Sequence, residues 1–223
     1  SLGSQSLKRL EVIVVDNGSA DGTATVARQM AAKDPRFRVL LRPRGAVTVA
    51  RNAGVLVARG QFLAFVDGTD TVPRFAYASL VNSLRNSGSD FAAGSVRTVV
   101  RGQRHRPSWT TVTHDLDRPA QTLGDFPHAI LDASATNRVF RRDFWTADVS
   151  SFPEPADGEA FAIVSATLLA KQFDLLQTVS CVRRPRLDPG KLLPDPLTVS
   201  QLASRLEWLW KTWRLVQDKA SPT

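Results

Sequence analysis

The chain has 223 residues, 43% of them hydrophobic and 22% charged, a balance that suits a folded body and argues against a disordered one. Its formal net charge of +8 comes mostly from arginine, which favours an oxyanion partner because a guanidinium grips phosphate or carboxylate in a bidentate way. The single cysteine, Cys181, excludes an internal disulfide and fits a reducing compartment, no apolar run reaches the roughly 18 residues of a membrane span, and the N-terminus lacks the pattern of a signal peptide.

Glu11 to Val15, EVIVV, reads as a buried strand that ends in a turn-rich loop, Asp16 to Thr23. Asp21 or Thr23 can cap the helix that follows, with Val26, Ala27 and Met30 on its apolar face. Arg36 to Leu41 is a second strand, and Ala46 to Ala58 a helix closed by the Arg59-Gly60 turn. Gln61 to Val66 is a third strand, apolar enough to be buried on both faces, and it breaks at once into Asp67 and Asp70. Strands buried this way deliver such acids to the C-terminal edge of a sheet, where open α/β sheets bind ligands. Pro73 starts a helix with Tyr77, Leu80, Val81 and Leu84 on one stripe, ended by Asn86 to Gly88, and Phe91 to Val100 is a fourth strand. This alternation predicts an α/β fold with a mostly parallel sheet covered by helices on both faces.

From Arg101 to Asp117 the pattern fades into a basic loop or irregular hairpin. Thr122 to Leu131 is a weak helix, Thr136 to Trp145 a compact aromatic and basic segment, and Phe152 to Pro155 a rigid connection. Gly158 to Lys171 reads as a helix with Phe161, Val164 and Leu168 on one face, and Phe173 to Val182 as a late strand carrying Cys181 as a small core residue. The tail from Leu197 to Gln217 is amphipathic along Leu202, Leu206, Leu209, Trp213 and Val216, a stripe that suits packing on the body, a membrane surface or a further C-terminal domain. His105, His114 and His128 are scattered, without metal-ligand spacing, and read as surface or loop residues. The arginines fall in separate groups, at Arg42 and Arg44, Arg101 to Arg106, Arg138 to Arg142 and Arg183 to Arg186, without the interleaved aromatics of a single-strand binding surface, so nucleic acid is not an expected partner. The pair Arg141-Arg142 suits either a phosphorylated ligand or a solvated helix face.

Four stretches taken in order, VVDNGSADGT (Val14 to Thr23), GAVTVARNAG (Gly45 to Gly54), ARGQFLAFVDGTD (Ala58 to Asp70) and NRVFRRDFW (Asn137 to Trp145), resemble the inverting family 2 glycosyltransferases of the GT-A fold. The late segment and tail are similar to the glycosyltransferase module of actinobacterial cell-wall polymer enzymes. The resemblance implies a Rossmann-like GT-A domain over residues 1–196, split at 100 into a nucleotide-binding half and an acceptor-side α+β half, with 197–223 as a C-terminal helix or linker. It implies a nucleotide-sugar donor, UDP-linked, and a polysaccharide or phosphate-containing polymer as acceptor, in the cytoplasm at the inner face of the plasma membrane. Asp16, Asn17, Ser19, Arg51 and Asp67 would bind the donor, and Asp67 with Asp70 would hold a divalent cation, manganese or magnesium, against its diphosphate.

Three departures from the family pattern bear on activity. Thr69 stands where the signature has a second carboxylate. The acidic pair that supplies the general base corresponds to Asp157-Gly158-Glu159, with Gly158 in the base position, so Asp157 or Glu159 must take that role. The chain starts at what resembles the helix after the family's opening strand, so that central strand is expected to be missing from the sheet. A second reading is therefore a catalytically degenerate domain of the same fold, serving as a binding or scaffolding module for an anionic polymer or a partner domain.

Overall fold

The β-branched EVIVV run forms β1 (Val12–Asn17), which pairs in parallel with β2 (Phe37–Arg42) across the helix α1 (Thr23–Lys33). The computed structural model describes residues 1–154, 158–185, 207, 210–215 and 217. The N-cap position of α1 is Gly22, which offers no side chain, and Asp21, one residue earlier, accepts the Thr23 N–H at 3.0 Å. The apolar face expected of α1 is not buried: Val26 and Met30 are 56% and 44% exposed, and Ala27 alone is covered. A two-stranded ribbon is too narrow to bury more than one row of a helix laid across it.

After α2 (Val47–Val57), Glu11 accepts the N–H groups of Arg59 and Gly60 at 2.6 and 2.8 Å and so pins this turn to the start of β1. The third strand is shorter than expected, β3 (Phe62–Ala64), although Leu63 and Phe65 are both buried. Helix α3 (Ala76–Ser87) buries Leu80, Val81 and Leu84 as its pattern predicted and ends at Gly88, whose left-handed φ of 78° closes the helix by a bond to the Leu84 carbonyl. β4 (Phe91–Val100) turns back into β5 (Gln103–His105) through Arg101 and Gly102, both at positive φ as a two-residue hairpin requires. The remaining elements are α4 (Ser108–Thr113), β6 (Arg118–Gln121), a 3-10 turn (Pro127–Leu131), β7 (Arg138–Arg141), α5 (Arg142–Phe144) running into a π turn (Trp145–Val149), α6 (Gly158–Leu169) and β8 (Phe173–Arg183).

The main sheet runs β3-β7-β4-β8-β6, with β5 on β4. β3, β4 and β8 point one way and β7 and β6 the other. Side chains alternate across it: Phe91, Phe140, Phe173 and Leu175 face Ala162, Ile163 and Ala166 of α6, while Ala92, Val139 and Leu176 face Leu80, Val81 and Leu84 of α3. Helices therefore cover both faces, as the sequence predicted. Of the face expected of α6, Leu168 is buried, but Phe161 and Val164 are only partly covered and Ala162, Ile163 and Ala166 fill the core instead. Among the described residues no strand joins the β1–β2 pair to β3, and the two sheets stand as separate ladders.

The core beneath the sheet is aromatic: Phe65 lies 4.8 Å from Phe152 and 5.1 Å from Trp145, centroid to centroid, and Phe140 lies 4.8 Å from Trp145. Of the tail stripe, Leu202, Leu206, Leu209 and Val216 lie outside the described residues, and Trp213 is 57% exposed. No helix among the described residues is long and apolar enough to cross a membrane.

Candidate active site

Asp67 and Asp70 follow β3 and open onto a cavity of about 660 Å³. Glu159 enters it from the first turn of α6, and Ser134 and Thr136 from the segment before β7. Arg183, at the end of β8, and Trp109 complete the polar and aromatic wall. A smaller cavity of about 370 Å³, lined by Arg97 and Arg104, contains no carboxylate.

Arg51, on α2, ties two of the cavity's acids together. Its Nη2 donates to Asp67 Oδ1 at 2.8 Å and its Nη1 to Glu159 Oε2 at 2.6 Å, over the face of the Phe152 ring at 5.4 Å. The Arg51 side chain is 9% exposed, against 48% for Asp67 and 31% for Glu159. Burial works against its charge, but Glu159 and then Asp67 outweigh that, so the guanidinium is held charged above its ordinary range. Asn52, the next residue, donates to the Phe152 carbonyl at 2.8 Å and accepts its N–H at 2.9 Å, which locks the approach to α6. Thus the ARN segment positions both the acid after β3 and the acid at the head of α6.

Glu159 is also held on its other oxygen, Oε1, by the Ala135 N–H at 3.0 Å. Gly158 has no room for any side chain, because a Cβ there would overlap the Pro153 carbonyl. Asp157 lies outside the described residues. Asp70 turns toward the end of β8, where Oδ1 accepts the Arg184 N–H at 3.2 Å and Oδ2 the Cys181 thiol at 3.5 Å. Cys181 is buried in β8, and burial pushes its thiol up to about 11, which suits the core role read from the sequence.

At the C-terminal end of β1, Asp16 is 7% exposed and its Oδ1 has no hydrogen-bond partner. Asn17 donates to the Gly45 carbonyl at 2.6 Å and so ties the end of β1 to the segment before α2, while Ser19 is exposed. None of these three lines the cavity that holds Asp67 and Glu159. Gly18, at φ 72°, packs against the Arg44 backbone so closely that a Cβ has no place there.

The structure corrects two readings of basic residues. Arg141 is not a ligand contact: its guanidinium donates to the carbonyls of Ser89 at 2.8 Å and Leu84 at 2.6 Å, and it belongs to a strand inside the sheet. His114 is not a surface residue; it is fully buried, with Nδ1 2.6 Å from the Thr113 hydroxyl and Nε2 3.8 Å from Asp132. Asp132 sits 3.4 Å from the fully buried Arg138 and accepts from Asn137 at 2.8 Å, a knot that shapes the segment from 132 to 137 along the cavity. Burial above all, then the nearby arginines, lowers His114 to about 4 against the opposing pull of Asp132. Neutral His114 therefore costs stability as pH falls from its ordinary 6.5 to about 4, because only the unfolded chain takes up the proton; the loss totals roughly 3 kcal/mol. Urea unfolding at pH 7 and pH 5 is expected to show this decline, and His114→Gln to flatten it.

Sequence reading missed Ser134, Thr136, Trp109 and Arg183 as cavity residues; the one signal was the basic group at the end of the last strand. A divalent ion of the magnesium type takes one or two carboxylates and completes its shell with substrate phosphates and water. Asp67 and Asp70 on one cavity fit that partial role, but among the described residues no three potential ligands converge into a cage built by protein alone.

The profile of glycosyl transferase family 2 matches residues 1–146. Among curated proteins, a putative glycosyltransferase of Bacillus subtilis, EpsH, is 38% identical over 72 residues, covering 32% of this chain and 21% of its own length. The Escherichia coli glycosyltransferase YibD is 35% identical over 92 residues, covering 41% and 27%. Among solved structures, S. aureus TarS 1-349 in complex with UDP superposes with a TM-score of 0.73 at 18% identity, over 98% of this chain and 59% of that one. The Pyrobaculum calidifontis mannosyltransferase PcManGT in complex with GDP-Man and Mn2+ superposes with a TM-score of 0.62 at 17% identity, over 100% and 59%. The architecture is therefore that of the GT-A fold, and the chain spans less than two thirds of the length of each of these proteins.

Proposed function

Since the chain belongs to glycosyl transferase family 2, we propose that it transfers a sugar from a UDP-linked donor to a hydroxyl of a cell-wall or surface polysaccharide, with inversion. One observation carries the proposal: Arg51 draws Asp67 and Glu159, 92 positions apart in sequence, to the same cavity. Direct displacement needs a base at the acceptor hydroxyl and positive charge near the departing diphosphate, and it forms no covalent intermediate. Glu159 would take the hydroxyl proton, a role supported by the Ala135 N–H and Arg51, which fix the direction of its carboxylate. Asp16, buried with an unmet acceptor oxygen, supports binding of a nucleobase N–H. UDP as the nucleotide is supported by the complex of the TarS structure. Asp67 and Asp70 would hold a divalent cation jointly with donor phosphates, and that ion would neutralise the leaving diphosphate.

Calorimetric titration of UDP into the protein, with and without manganese, tests this reading. Binding that strengthens with manganese and weakens at least tenfold in Asp67→Ala is expected. A second reading, a binding module that has lost catalysis, is favoured by Thr69 and by the packing that bars an acid at Gly158. No nucleotide binding under either condition would sink the transferase and leave the module.

A further inference from the structure

Three consecutive residues join the candidate base to a second charged group. Ala135 holds Glu159, and the residues on either side of it, Ser134 and Thr136, accept hydrogen bonds from Arg183 Nη2, the latter at 3.5 Å. Arg183 lines the same cavity, half-buried, and among the described residues its hydrogen bonds go to these two neutral hydroxyls alone. The contrast with the other arginines here is sharp. Arg51 is matched by two carboxylates, Arg138 by Asp132, and Arg141 caps carbonyls, whereas no acid among the described residues comes within 4.0 Å of Arg183. Withdrawing a guanidinium from water without an anion is costly, and a fork fixed on one nitrogen keeps its other donors aimed for an oxyanion.

Sheet register adds a path. Arg183 pairs with Thr98 and Thr98 with His105, so the three side chains stand in a row on one face, from the cavity out to an exposed edge. Trp109 lines the same cavity.

We propose that Arg183, tethered by Ser134 and Thr136, is a subsite for an oxyanion carried by the acceptor, so that the acceptor is an anionic chain bearing phosphate or carboxylate groups. The proposal rests on the transferase reading above. Glu159 and Arg183 are both anchored on three successive residues, a span of roughly 7 Å, so the attacked hydroxyl and the recognised anion belong to the same or adjoining units of the chain.

The test is calorimetry on the full chain saturated with UDP, using glycerol 1-phosphate, glucuronate and uncharged glycerol as probes. Both anions are expected to bind and glycerol not to, and the stronger anion names the acceptor's charged group. Arg183→Gln should weaken the anions at least tenfold and leave the separate UDP titration unchanged, while Arg183→Lys, which keeps the charge, should recover part of the loss. Anion binding indifferent to Arg183, or glycerol binding as well as its phosphate, overturns the proposal. An equal loss of UDP affinity in Arg183→Gln also overturns it, since the anion would then be the donor diphosphate. UDP failing to bind the unaltered chain counts against the transferase reading instead.

Discussion

Glu159→Gln is expected to slow sugar transfer by about 10²–10⁴-fold, the range that a positioned general base contributes, while UDP affinity stays unchanged. The substitution keeps the shape of the side chain and an acceptor oxygen for the Ala135 N–H, but it removes the carboxylate proposed to take the hydroxyl proton. Release of UDP from a UDP-sugar in the presence of a glycan acceptor is the measurement. Rates equal to the unaltered chain would remove Glu159 from the reaction and move the base to Asp157. Gly158 offers no alternative, since the Pro153 carbonyl occupies the space of its missing Cβ. The family's base position is thus closed by packing as well as changed in sequence, and the neighbouring acid points into the cavity.

Arg51→Met carries the second large effect, because it unpairs two acids at once. Asp67 and Glu159 would face one cavity without the cation between them, and transfer is expected to fall by about 10²–10³-fold, the cost of losing one preorganised charged donor. Stability should fall less, by about 1–2 kcal/mol, because both acids are partly solvated and can turn to water. Arg51→Lys should land between the two, since an ammonium group meets one carboxylate well and bridges two poorly. Thermal unfolding and UDP-release rates measured together separate the two effects. Stability lost with full activity would reduce Arg51 to a structural strut.

The contrast between Arg51, Arg138 and Arg183 shows where sequence reading stops. All three are arginines in basic or mixed surroundings, and nothing local separates them. In the fold one bridges two acids, one is sealed inside with Asp132, and one, among the described residues, meets only hydroxyls. His114 was misread for the same reason: its isolation in sequence hides the buried Asp132–Arg138 knot beside it. The apolar stripe of α3 was legible because its face is packed on a broad sheet, whereas the stripe of α1 was not, because only a narrow ribbon lies beneath it.

By itself the sequence determined the fold. Four motifs in order, strands that alternate with helices and a strand ending in Asp67 are local patterns, and local periodicity with loop chemistry is enough to specify an α/β sheet and the edge that carries its acids. Only the tertiary structure decided which charges meet. Glu159 faces Asp67 across Arg51, Gly158 is denied a side chain by Pro153, and Arg183 is joined through Ser134 and Thr136 to the residue that holds Glu159. The two ion pairs of Arg51 span 16 and 108 positions of chain, and a charge's partner at such distance is set by sheet order and helix packing, which no window of sequence contains.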